Sequence, residues 1–96
     1  MREAKERHDH MTFDRPRIAT DLEINEVEDG LIVYQESLER VHHLNPTASV
    51  VFQLCDGSHD AATIAAIVKK VYGLEAEPHS EVESCLSRFI QEGLVR

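Results

Sequence analysis

The dipeptide Asn45-Pro46 constrains this chain more than any other feature. Before it, residues 41–44 read Val-His-His-Leu, a short run of β character. Asparagine is a good helix N-cap, and proline fits the first helical position, where its missing N–H costs nothing. A strand therefore passes into a helix with almost no loop. Residues 47–55 are nearly all apolar, and Asp56-Gly57 offers the left-handed stop that glycine adopts most cheaply. Everything upstream of the junction reads as sheet and everything downstream as helix.

Upstream, two β-like runs, 22–27 and 31–35, flank Glu28-Asp29-Gly30. Asp-Gly between such runs is a strong hairpin signal, because a two-residue turn needs positive φ at its centre. With Asp29 and Gly30 at that centre, Val27 lies beside Ile32 and Asn25 beside Tyr34 on one face. Ile24, Glu26, Leu31 and Val33 share the other. Both faces are partly apolar, so alternation does not choose the core. After a polar connection at 36–39, residues 40–44 form a third strand at the edge of a meander. Val41 and His43 point one way, His42 and Leu44 the other. Neither proline nor lysine guards this strand, which leaves its edge available for pairing.

Downstream, a helix over 46–55 places Ala48, Val51, Phe52 and Cys55 on one face, widened by Val50 and Leu54, with Ser49, Gln53 and Asp56 on the polar side. Asp60 caps a second helix to residue 72, with Ile64, Ile67, Val68 and Val71 inward. Lys69 and Lys70 complement its dipole, and Gly73 ends it. Ser80 and Glu83 form a capping box that opens a third helix over 80–91. Its apolar stripe is Val82, Cys85, Leu86, Phe89 and Ile90; Gly93 closes it, and Leu94-Val95 forms a docked tail. The expected fold is α+β: a winged helix-turn-helix with an N-terminal three-stranded antiparallel sheet followed by three helices.

Ninety-six residues make one domain, expected over 16–96 behind a polar, flexible arm at 1–15. The formal net charge of −8 argues against a nucleic-acid backbone as partner. Glu81 and Glu83, where a recognition helix would meet phosphate, argue the same way against the single Arg88. No apolar run approaches the roughly 20 residues that span a bilayer, and residues 1–10 lack the apolar core of a signal peptide, so a soluble, cytoplasmic protein is expected. Cys55 and Cys85 lack CxxC spacing and read as small buried hydrophobes. His8 and His10 flank Asp9 on the arm without supporting groups, so neither metal nor cofactor is expected. His42 and His43 face opposite ways and cannot act on one atom. With no phosphate loop, nucleophile elbow or HExxH pattern, the chain reads as non-enzymatic.

LNPTA at 44–48, LCDG at 54–57, a following Ile-containing helix, Tyr72 before Gly73, and a last helix running into Gly-Leu-Val at 93–95 together resemble the PqqD-like proteins, the precursor-peptide recognition elements of ribosomally made natural products. The resemblance spans 16–96 and is most specific at 44–57. It implies a non-catalytic domain that binds the leader of a ribosomally synthesised precursor peptide and brings it to a modifying enzyme, often a radical SAM maturase. In that family the leader adds as a strand to the third β-strand and packs against the third helix. Carried onto this chain, the expected peptide contacts are Val41, His42, His43 and Leu44 from the strand, and Val82, Cys85, Arg88 and Phe89 from the helix. Arg88 is suited to pair with an acidic leader residue. Residues 34–45 resemble the broad group more than the dedicated pyrroloquinoline quinone chaperones, so that cofactor's synthesis is one of several possible settings. The alternative is an acidic winged-helix interaction or regulatory domain without a precursor peptide. The open edge also permits a homodimer.

Overall fold

The computed structural model describes residues 15–96. Apart from Arg15, the expected arm, with its His8, Asp9 and His10, lies outside the described residues. Strands β1 (Leu22–Val27), β2 (Gly30–Gln35) and β3 (Arg40–Leu44) form one antiparallel sheet in the order β1-β2-β3, with a 3-10 turn at Glu36–Leu38 before β3. Helices α1 (Pro46–Gln53), α2 (Ala61–Tyr72) and α3 (His79–Gln91) follow. The architecture is the expected α+β winged helix-turn-helix.

The β1–β2 turn differs from expectation. Val27 pairs with Gly30 and Asn25 with Ile32, so the turn is centred on Glu28-Asp29 and the register moves by two residues. A shift of two leaves every side chain on its expected face. The reason lies at Gly30, whose φ is +146° and where a Cβ would run into the Leu44 carbonyl oxygen. Glycine is needed where β2 meets β3, not in the turn itself. The core face carries Leu31 and Val33 with Leu44. Tertiary packing settles what alternation left open.

At the junction the local chemistry is as expected. Asn45 Oδ1 accepts the Ala48 N–H at 2.8 Å, and Pro46 stands at the first position of α1. Ser49, expected on the polar side, is buried; its hydroxyl donates to the Asn45 and Leu44 carbonyls. Helix α1 stops at Gln53, two residues earlier than expected, because its last turn tightens: the Leu54 N–H is shared between the Val50 and Val51 carbonyls and the Cys55 N–H bonds the Phe52 carbonyl, while the freed Cys55 carbonyl accepts the Ile18 N–H at 2.8 Å. Gly57, with φ +86°, lies beyond the helix under the Arg17 guanidinium.

Asp60 caps α2 through Thr63 N–H and Gly73 ends it at φ +63°. Ile64, Ala65 and Val68 are buried on α2, whereas Val71, expected inward, is exposed. Helix α3 begins at His79 after Pro78 with no side-chain cap, so Ser80 and Glu83 do not form the expected capping box. The Pro78 carbonyl already accepts the Val82 N–H at 3.0 Å, which starts the helix one residue upstream of Ser80.

One core joins the layers. Phe52 and Val51 of α1, Ile64 and Val68 of α2, and Val82, Leu86 and Phe89 of α3 close over Leu31, Val33 and Leu44 of the sheet. Leu94 and Val95 dock into it as expected. Residues 16–19 pair with this tail: Ala19 N–H bonds the Leu94 carbonyl, and Arg17 and Arg96 exchange backbone bonds. No helix of the described residues is long and apolar enough to cross a membrane.

Candidate functional site, a free strand edge beside a helical groove

Among the described residues, strand β3 pairs with β2 on one side only. Its free groups follow from the ladder. Val27 and Gly30 close a tight turn as a bonded pair, and bonded pairs alternate along antiparallel strands. Ile32 and Tyr34 therefore turn their N–H and C=O groups toward β1, and Leu31, Val33 and Gln35 turn theirs toward β3. Their partners Leu44, His42 and Arg40 point back, and the Leu44 carbonyl lies against Gly30. Val41 and His43 are left with both backbone groups facing outward.

The side chains divide in the same way. Val41 is 65% exposed and His43 55%, while His42 is 7% exposed and Leu44 fully buried. His43 Nε2 stands 3.8 Å from Asp29 in the turn. The expected alternation of β3 is thus present. Leu44 belongs to the core, and so do Val82 and Phe89 of α3. The family resemblance points to these three as peptide contacts, but their side chains present no surface.

Helix α3 lies alongside. Between the start of α1 and the first half of α3 is a groove of about 410 Å³, lined by Asn45, Thr47, Ala48, Ser80, Glu81, Ser84 and Cys85. At its other end α3 meets β3 through Glu92, whose Oε1 lies 3.2 Å from His42 Nδ1 and 3.6 Å from Arg88 Nε. The groove opens beside Asn45, where β3 ends, and the C-terminal end of α3 reaches the middle of β3 at His42. Glu81, Cys85, Arg88 and Glu92 recur at helical spacing, the first two lining the groove and the last two meeting near His42. Arg88 is half exposed and Cys85 half-buried.

The groove holds little reactive chemistry. Burial pushes the Cys85 thiol up, and it pushes the Cys55 thiol up to about 12. Both are protonated at neutral pH and poor nucleophiles. No group of three or more histidine, cysteine, aspartate or glutamate side chains among the described residues is placed to hold a metal ion.

Residues 30–95 match the family described as coenzyme PQQ synthesis protein D (PqqD). The chain belongs to the PqqD family. As a PqqD-like recognition element it is a non-catalytic module. The fold is also that of a solved structure described as lasso peptide synthetase B1 complexed with the leader peptide: the TM-score is 0.72 at 15% identity, over 85% of this chain and 98% of that one. No curated protein matches the chain.

Inspection of the sequence missed Gln35, Glu92 and the small residues that line the groove. The first two carried a signal. Gln35 alternates in phase with Leu31 and Val33, which places a polar group on the core face, and Glu92 follows Arg88 at i, i+4.

Proposed function

We propose that this PqqD-family domain binds the leader of a ribosomally synthesised precursor peptide by strand addition to β3 and presents it to a modifying enzyme. The free edge of Val41 and His43 beside the α3 groove is the observation that carries the reading. An incoming strand meets two N–H donors and two carbonyl acceptors there, which supply affinity with little sequence demand. The groove beside it takes the leader's side chains and supplies selectivity. Val41, His43, Cys85 and Arg88 make direct contact, and Arg88 offers a guanidinium to an acidic leader residue. Leu44, Val82 and Phe89 act from beneath by holding strand and helix in place. The modifying enzyme is a radical SAM maturase in the cytoplasm, and the product is pyrroloquinoline quinone or another modified peptide. Family membership and the likeness to a leader-bound lasso peptide protein support this reading.

The test is a titration of isotope-labelled protein with the leader of a precursor encoded nearby. Saturable binding is expected, with amide shifts concentrated at residues 40–44 and along α3. Shifts confined to α2 or to β1 would show that the groove is not the site. No saturable binding would favour an interaction domain without a precursor peptide, and pairing of two copies through β3 would appear as dimerisation in the free protein.

A further inference from the structure

Gln35, His42 and Ser49 are the buried polar side chains among the described residues. Ser49 is satisfied within its own junction. The other two join Glu92 in a network that ties β2 and β3 to the end of α3. Donor and acceptor identities fix its hydrogens. The Gln35 side-chain nitrogen donates to the Glu92 backbone carbonyl at 3.0 Å, so its oxygen faces His42 Nε2, also at 3.0 Å. An amide oxygen only accepts, and Nε2 therefore carries a hydrogen. Nδ1 lies 3.2 Å from Glu92 Oε1. A bare nitrogen lone pair there would face a carboxylate oxygen, which is repulsive. That oxygen is buried and has no hydrogen-bond partner in bonding geometry. A proton on Nδ1 turns this close approach from repulsion into attraction and gives the buried oxygen a cationic neighbour.

We propose that the proton-bound His42–Glu92 pair is a positioning clamp that holds α3 against β3 at the groove width a leader needs, so that leader binding is coupled to proton uptake. The inference rests on the leader-binding reading above. His42 faces inward, away from the free edge, and acts on the peptide through the spacing of strand and helix. Beside the pair stand Gln35 from β2, which is neutral, and Arg88 from α3; Arg40, exposed, lies two residues back on the same face of β3. Arg88, 3.6 Å from the same oxygen, is matched by a negative charge on Glu92, which leaves the proton on the imidazole. Loss of that proton sets a lone pair against a carboxylate and opens this end of the groove.

The experiment measures leader affinity of the full chain at about pH 6 and about pH 8.5, the range in which histidines change charge, together with the imidazole nitrogen shifts of His42. Both ring nitrogens are expected to be protonated at the lower pH. Affinity is expected to fall about tenfold at the higher pH, the size of one charge-assisted hydrogen bond. In Glu92→Gln the carboxamide can donate to a bare Nδ1, so binding persists at both pH values and the slope disappears. Glu92→Ala weakens binding at both. His43→Gln, which removes the exposed edge imidazole, keeps the slope. Equal wild-type affinity at the two pH values, a slope retained in Glu92→Gln, or an unprotonated Nδ1 at the lower pH would overturn the clamp. A leader that does not bind at either pH overturns the leader reading instead, and the nitrogen shifts still judge the clamp.

Discussion

The ring of Phe52 on α1 meets the ring of Phe89 on α3 edge to face, with centroids 5.4 Å apart and planes at 78°. This geometry sets the positive edge of one ring against the negative face of the other. Both side chains are fully buried, so the pair holds the groove's helix wall to the helix that carries the strand junction. Phe89→Ala should cost about 3–5 kcal/mol through lost burial and the cavity left behind. Urea denaturation measures it, and a loss below about 1 kcal/mol would mean that the core closes around the gap.

His43 and His42 are adjacent, yet proline should act oppositely at the two positions. At His43 it removes an outward N–H from the free edge, which folding does not use. Leader affinity should drop about tenfold, the worth of a lost main-chain bond, with a melting temperature near that of the wild type. At His42 it removes a bond to β2 and should destabilise the domain outright. Wild-type affinity in folded His43→Pro would count against strand addition.

Gly30→Ala places a methyl against the Leu44 carbonyl oxygen at a φ of +146°, in a region that costs other residues on the order of 1–3 kcal/mol. The clash adds to that strain. A denaturation midpoint well below the wild type is expected, with amide shift changes centred on Gly30 and Leu44. An alanine variant as stable as the parent would show that the hairpin relaxes away from β3.

The Asp56 carboxyl receives the Ser58 hydroxyl at 2.7 Å and the Ser58 N–H at 2.9 Å, with His59 Nδ1 at 3.0 Å. These bonds, the Ser58 hydroxyl first, hold its pKa down to about 2, against 3.8 for an ordinary aspartate. A depressed carboxylate stabilises the folded state above its unfolded value. That contribution is complete above pH 3.8 and is lost as the pH falls through about 2. Carboxyl carbon shifts should titrate near the lower value in the wild type and move toward 3.8 in Ser58→Ala. An unmoved midpoint would remove Ser58 as the cause.

Part of the candidate site was legible in the residues. The unguarded β3, the alternation that sets His42 and Leu44 against Val41 and His43, and the amphipathic last helix all follow from strand and helical spacing. The hairpin register was misplaced because Asp-Gly reads as a turn centre, whereas here the glycine answers to a carbonyl on another strand. Val71 was expected inward from spacing, but α2 outruns the core it packs on. Ser80 was expected to cap α3 from a short motif, and Pro78 had already started the helix. The peptide contacts expected at Leu44, Val82 and Phe89 share their stripe with the core, and sequence spacing does not distinguish a buried apolar side chain from one lining a groove.

By itself, the sequence determined the order and kind of the elements and the sharp passage from strand to helix at Asn45-Pro46. Caps, turns and periodicity act over a few residues, so a single stretch of chain contains their cause. Only the tertiary structure decided which sheet face is core, which groups of β3 face outward, and that His42 meets Glu92. Those depend on the pairing of β2 with both neighbours and on α3 packing back across the sheet. Contacts between residues far apart in the chain are set by how whole surfaces fit, and no local pattern encodes them.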